Sequence, residues 1–494
     1  MNKIARERKN PPAVAAVVAA GLALPGTACA HSFGKLFNLP VPLWMYVYGA
    51  TVALALSFLI VAWFVTAPAP RPQPRGISLD DSGLMRALRR LRLLPVLRAF
   101  SLLALGLCVL TGLFGARNAY TNINMTLFWI VFCLGYAYLT ALIGDLYAAI
   151  NPWRSLAYGL ELLFPGYGRG RRPYPRRLGY WPALLLYMAY IWLELFGFTR
   201  PFSLAVILLA YTAINLLAVW WVGEDAWFRH GEFFGVFLRL LAKMAPLDYR
   251  PGADGGRGHL RVRWPFAGVL ETRAENYSEL WFVLFMLSST AFDGLHDTVP
   301  WIRWFWIDFY GWLKPWVGDN PLMVYPKLIP WFQAWQTLCL LASPFIYGAA
   351  YLLFIRLARA VTRSTLTVRE LALRFAYTLL PIALVYNITH YYTLILSQGS
   401  KIVSLVSDPF GYGWNLFGTL YWLRAPIIPN AATVWDTQLL LIVSGHIVSV
   451  YLAHVEALRV FPTRRQATLS QLPMLLLMVL FTTAGLWILS EPIR

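Results

Sequence analysis

Few side chains in this 494-residue chain are able to do chemistry, and most of those stand in apolar surroundings. His390 and His446 each lie inside a long apolar run, and a neutral imidazole there is either a metal ligand or a proton carrier. Counted from the ends of their runs at about 1.5 Å per residue, the two rings share a depth. Asn387 falls three residues before His390, on the same helical face, as a hydrogen-bonding partner for a liganding ring. The pair either grips a metal between adjacent helices or makes two separate interhelical hydrogen bonds. His454 sits eight residues past His446, close to Glu456, and is a relay or a polar residue near a helix end. The run Phe292-Asp293-Gly294-Leu295-His296-Asp297 puts a carboxylate, an imidazole and a second carboxylate on one helical face by i,i+3 and i,i+4 spacing. That set either holds a hard or borderline metal or forms an ordinary polar helix end before Thr298-Val299-Pro300. Asp293 is the deepest of the three, and Asp293, His390 and His446 are the expected catalytic residues.

His31 adds a different chemistry. If a leader is removed after Ala30, the new terminal amine and the His31 ring offer two nitrogens to one ion, a pairing that suits copper; otherwise the histidine follows the cleavage site by chance. The expected metal ligands are therefore His31, Asp293, His296, His390, His446 and His454, and the expected ion is divalent copper or zinc.

These residues need a scaffold, and the composition names its solvent. The chain is 59% hydrophobic, 16% aromatic and 13% charged, with a mean hydropathy of +0.55, whereas soluble domains carry about a quarter charged residues. Apolar runs long enough to cross about 30 Å of hydrocarbon recur throughout. Ten are expected as helical spans, near 42–66, 96–115, 126–149, 179–199, 203–223, 277–297, 331–355, 372–398, 436–458 and 470–490. The expected fold is thus an all-α polytopic transmembrane bundle. Residues 1–30 read as a cleaved signal peptide: Lys3, Arg6, Arg8 and Lys9 form the basic start, Ala13 to Leu24 the apolar centre, and Ala28-Cys29-Ala30 the cleavage site. Residues 31–494 then form one membrane domain. Cys108, Cys133 and Cys339 fall inside apolar runs as small hydrophobes.

The net charge of +19 would suggest nucleic acid in a soluble protein, but its distribution points elsewhere. The alternate loops 67–95, 150–178, 224–276, 356–371 and 459–468 hold 27 Lys and Arg, against nine in the opposite segments beyond residue 30. This bias follows the positive-inside rule. It implies a multi-pass membrane protein with the mature N-terminus and the C-terminus on the outer side, a lipid bilayer as partner, and no nucleic acid. His230 and His259, in the longest basic loop, read as solvated. Arg250 to Gly258 reads as a turn-rich connector, and Leu84 to Arg92 as a basic amphipathic helix on the inner leaflet. Seven tryptophans between Pro300 and Trp335 make an aromatic belt, or a lid over an apolar substrate, at the outer surface. Glu194 and Asp145 are intramembrane carboxylates served by an aqueous path or a buried partner. Asn151-Pro152-Trp153-Arg154 marks the end of a span.

The sequence carries no serine elbow, Walker lysine, haem-type Cys pair or HExxH motif. Six ordered segments do carry a resemblance: Asn38-Leu-Pro-Val-Pro-Leu-Trp44, Asn151-Pro-Trp-Arg154, Phe292-Asp-Gly-Leu295, His390-Tyr391, Ser407-Asp-Pro-Phe-Gly411, and Gly445-His-Ile-Val-Ser-Val-Tyr-Leu-Ala-His454. In these the mature chain resembles bacterial polytopic membrane proteins identified as fenitrothion hydrolases. The resemblance implies a periplasm-facing hydrolase that splits an aryl ester from an organophosphorus triester, with an apolar small molecule as substrate. On that reading a metal held by some of His31, Asp293, His390 and His446 polarises the phosphoryl group and acidifies a bound water. A carrier or metal-handling protein would use the same intramembrane His and Asp residues to bind an ion or relay protons. An assembly subunit would use them for helix contacts alone, and a second membrane subunit or a homo-oligomer fits any of the three.

Overall fold

A backbone in hydrocarbon must satisfy its own N–H and C=O groups, and this chain does so with helices. The computed structural model describes residues 41–66, 76–250, 259–423 and 425–491. The expected signal peptide, His31 and most of the 250–258 connector lie outside the described residues. In chain order the first half comprises α1 (Leu43–Phe64), β1 (Gly76–Ser78), α2 (Gly83–Arg90), α3 (Leu93–Phe114), α4 (Ile123–Ile143), α5 (Tyr147–Ile150), α6 (Pro152–Leu163), α7 (Trp181–Phe196), α8 (Pro201–Val222), α9 (Glu224–His230), α10 (Phe233–Ala242), β2 (Leu247–Arg250) and β3 (His259–Arg263). The second half comprises α11 (Ala267–Glu271), α12 (Tyr277–His296), α13 (Val299–Arg303), α14 (Tyr310–Val317), α15 (Pro321–Thr362), α16 (Val368–Phe375), α17 (Leu380–Gln398), α18 (Ile402–Ser407), α19 (Ala431–Val460) and α20 (Arg464–Ser490). Among the described residues eight helical segments are long and apolar enough to cross a membrane, so the all-α membrane-type fold is as expected. The spans expected near 179–199 and 277–297 are α7, of 16 residues, and α12, of 20.

Polar residues set the helix starts. Asn122, Asn151, Asn276, Asn320, Asn430 and Thr463 each accept a backbone N–H in the first turn of the helix they precede. Thr367 and Glu370 close α16 with a reciprocal capping box. The outer faces of α1 and α3 stay apolar, with Trp63 75%, Phe100 67% and Leu103 71% exposed, as lipid-facing surfaces require. One group of helices, α1, α15, α19 and α20, packs through α12 and α17 against a second group of α3, α4, α7, α8 and α10. Glycines allow the closest approaches. A Cβ at Gly445 would run into Val385, and one at Gly485 would run into the Tyr386 ring and hydroxyl, so α19 and α20 both lie tight against α17.

Several expected loops are structured. The 224–276 connector contains α9 and α10, and these form a helical hairpin that enters the bundle. Trp227 Nε1 donates to Asn215 at 2.8 Å and Tyr211 Oη to Glu232 at 2.5 Å, so α9 runs back along α8. From Phe233 to Arg239 the aromatic partners then step from Tyr190 back to Tyr180, and α10 leaves the way α9 came. Gly223, at φ +90°, makes the first reversal. The strands form an antiparallel sheet ordered β1-β3-β2. Arg261 ties the sheet to Asp248 and Glu271 at 2.6 Å each, and a hydrogen bond from His259, with the Leu260 N–H, holds the Asp80 carboxyl down at about 2. His230 is half-buried between Tyr174 and Tyr180 rather than solvated. The expected span 331–355 is part of a 42-residue helix, α15, that contains Pro326, Pro330 and Pro344. The span expected over 126–149 stops at Ile143 because Gly144, at φ +86°, lies against the Leu247 carbonyl.

The bundle thus has a sheet end, which carries the basic loops, and a tryptophan end, which carries residues 299–335. A Gly485→Leu variant should unfold several degrees below the parent in a detergent melt, since overpacking of this kind costs about 1–3 kcal/mol. Gly311→Leu, which meets open space, should melt with the parent.

Candidate functional site

Three helices deliver polar groups to one buried spot near the tryptophan end. Glu194 lies two residues before the end of α7, Asp293 three before the end of α12, and His390 and Tyr391 are adjacent on α17. The Asp293 carboxylate, 3% exposed, is the hub. Its Oδ2 lies 2.7 Å from His390 Nε2 and accepts from Tyr391 Oη at 2.6 Å. Its Oδ1 is 3.4 Å from His296 Nε2, and His296 Nδ1 is 3.3 Å from Asp297 Oδ1. Glu194 stands beside Tyr391 and close to Asp293 and His390. Two carboxylates, an imidazole and a phenol therefore form one set, with Asp293 and Tyr391 buried and Glu194 and His390 half-buried, and a second imidazole leads from it toward Asp297.

The backbone explains the fit. Gly294 follows the hub, and a Cβ there would press on Ile488 at 2.8 Å and stand 3.9 Å from the His390 ring. Its absence lets Ile488 of α20 close over α12 beside the hub, while the His390 ring would be in ordinary contact either way. Phe292 packs on His296 at 5.7 Å and meets Trp301 edge to face at 5.5 Å. Trp301 in turn stacks on Trp335 at 4.3 Å, so the tryptophan segment borders the cluster while Trp312, Trp316 and Trp331 remain exposed. Below the cluster is a cavity of about 30 Å³ lined by Glu194, Tyr190, Cys133, Thr290, Asn387 and Tyr391 among others. That is room for about one or two water molecules.

The structure brings Asp293, His296 and His390 together and leaves His446 and His454 elsewhere. His446 Nδ1 lies 2.8 Å from the Ile442 carbonyl, and its ring faces Tyr386. Tyr386 is one turn below His390 on α17, about 6 Å along the axis. The expected meeting of His390 with His446 fails for that reason: the rings belong to different layers, with Tyr386 beside the lower one. His454 is fully buried between Gln471 at 3.2 Å and the Val65 carbonyl at 2.9 Å, so it fastens α19 to α20 and α1. Asn387 accepts from Tyr138 Oη at 2.9 Å and ties α17 to α4, instead of serving a liganding ring. His31 lies outside the described residues.

Among the described residues no three His, Cys, Asp or Glu side chains converge in an arrangement able to hold a metal ion, and His390 is turned toward Asp293. Two participants were not assigned to the site from the sequence: Tyr391, hidden in an aromatic pair beside His390, and Glu194, noted as an intramembrane carboxylate with a buried partner but with its partners on helices remote in sequence. In comparisons with known proteins, the chain matches no family model, no curated protein and no solved structure.

Asp293→Ala should lower stability by about 1–3 kcal/mol for each buried partner left unsatisfied, with His390 and Tyr391 foremost, read as a reduced midpoint in a detergent melt. His454→Ala should show a similar loss, since it strands Gln471 and the Val65 carbonyl, while leaving the chemistry at Asp293 intact.

Proposed function

We propose that the protein is a multi-pass carrier of the bacterial inner membrane that handles protons at the Asp293–His390–Glu194–Tyr391 cluster. One observation carries this reading: two carboxylates, an imidazole and a phenol form one set inside the bundle. Ionisable groups are costly within a bilayer, and where they occur together they typically mark proton relays or ion paths. A proton arriving at Asp293 can pass to the imidazole it touches, and His296 offers a step toward Asp297 and the tryptophan end. The small cavity on the other side of Glu194 suits water rather than a bulky ligand. The charge bias of the loops supports an orientation with the basic sheet end in the cytoplasm and the tryptophan end in the periplasm.

The second reading is the ester hydrolysis implied by the resemblance, and the Asp293–His390 contact of 2.7 Å favours it specifically. A carboxylate that orients an imidazole makes a general base able to take a proton from attacking water. A nitrophenolate leaving group needs little acid. An aryl phosphotriester, however, requires a pocket on the order of 300 Å³ or more, so the bundle would have to open beside the tryptophan segment.

Full-length protein in vesicles with a trapped pH dye separates the two. Proton flux above that of empty vesicles, lowered about 10-fold or more in Asp293→Asn and His390→Ala, with no release of nitrophenolate from an aryl phosphotriester, is the expected outcome. Nitrophenolate release that His390→Ala abolishes, without proton flux, would establish the hydrolase instead. Wild-type behaviour in both variants would remove Asp293 and His390 from the function altogether.

A further inference from the structure

The loop between α6 and α7 carries Arg169, Arg171, Arg172, Arg176 and Arg177, all exposed. Among the described residues none of the five makes an ion pair within 4 Å. Their neighbour Arg154 is already matched, by Glu224 and Asp225 at 2.6 Å each. Glu161, a further carboxylate facing the loop, accepts from the Gly166 and Gly168 N–H groups at 2.8 and 2.6 Å and lies close to Arg169. Six arginines thus stand against three carboxylates, and the loop keeps an unbalanced positive charge.

That loop is clamped onto the sheet end of α8. Tyr167 Oη donates to the Leu216 carbonyl at 2.6 Å, and the Arg171 and Arg172 N–H groups both donate to the Trp221 carbonyl at 2.9 Å. Gly170, at φ +75°, lies so close to the Gly223 backbone that a Cβ would strike it. The clamp lays two guanidinium groups on two indoles whose centroids are 5.9 Å apart. Arg171 stands 4.1 Å from the Trp220 ring centre and Arg172 5.3 Å from that of Trp221, a contact that holds a cation in place without neutralising it. Beside these cations the surface turns apolar. Leu162, Leu163 and Phe164 at the end of α6, and Leu217 and Trp221 on α8, are all exposed, and the two helices pack together.

We propose that this face is a binding site for one anionic phospholipid of the leaflet at the sheet end, its phosphate held by Arg171 and Arg172 and its acyl chains lying over Leu217, Leu163 and Phe164. Charge complementarity selects the headgroup. A guanidinium offers phosphate oxygens two parallel donors, and arginines next to interfacial tryptophans stand at headgroup depth. A zwitterionic headgroup brings its own cation to a loop already in positive excess, so it binds less well. The apolar shelf selects a lipid over a free phosphate, because Leu217 projects from a membrane-spanning helix into the hydrocarbon that the acyl chains occupy. Since the loop is fastened by backbone groups and the cations by indoles, little order has to be imposed when the lipid arrives. The inference is independent of the proton-handling reading.

The test offers full-length protein in detergent either phosphatidylglycerol or phosphatidylcholine with the same acyl chains, and counts bound lipid by native mass spectrometry. The wild type should retain phosphatidylglycerol preferentially. Arg171→Gln with Arg172→Gln should weaken that binding about 10-fold or more. Arg356→Gln with Arg359→Gln, which removes the same charge from exposed positions on α15, should leave it near the wild-type value. Trp221→Leu keeps the carbonyl and an apolar surface but removes the ring under Arg172, and should weaken binding several-fold. All three variants should melt like the parent, because the backbone clamp persists. Inorganic phosphate added at constant ionic strength should leave the lipid bound. Equal retention of the two lipids, or an equal loss in both double variants, would overturn the site. Displacement by inorganic phosphate would overturn the lipid assignment and leave a phosphate site in its place.

Discussion

The contact between the Asp293 carboxylate and the His390 ring, 2.7 Å apart inside a helical bundle, is the constraint that the surrounding helices must accommodate. Neither group would be tolerated alone in hydrocarbon, because a bare charge there is costly and an unpaired polar atom scarcely less so. Together, with Tyr391 donating to the same oxygen, they satisfy one another and keep a proton available among them. The neighbouring architecture serves that contact. Gly294 lets Ile488 of α20 approach α12, Gly445 and Gly485 let α19 and α20 press on α17, and Trp301 packs against the ring next to the hub.

The hairpin of α9 and α10 applies the same physics at the other end. A chain that turns back inside a bundle exposes helix N-termini, which need acceptors. Glu232 and Asn151 supply them and hydrogen-bond to each other. The result is a pair of capped short helices that meet beside α8 and place a carboxylate where water has limited access. Rigid caps, an aromatic wall and a cavity the size of a water or two together make a barrier with polar groups on both faces.

Much of the scaffold was legible in the sequence because long apolar runs have one stable form in lipid. Most of the long helices follow from that rule, although α15 runs well beyond the expected 331–355 and α4 stops at Ile143; the polar helix end at Asp293 to Asp297 was marked by its own ionisable residues. The site was legible only in part. His390 and Asp293 stood out as costly polar residues, but adjacency along the chain suggested His446 as the partner of His390, and nothing in the spacing reveals that Tyr386 faces His446 or that α12 passes on the other side. Glu194 pairs across helices nearly 200 residues apart in sequence. Glu232 was hidden by its charged surroundings, which read as loop. The usable signal was a Glu directly ahead of the apolar run Phe233–Ala242, which is a helix cap by position, just as Asn151-Pro152 marks a start rather than an end.

Infrared titration of the purified protein examines the central contact directly. A carboxylic acid C=O band that rises on acidification, disappears in Asp293→Asn and moves in His390→Ala is the predicted result, because both residues share one proton. Identical difference spectra for the wild type and both variants would show that Asp293 and His390 exchange no proton, and would contradict the account.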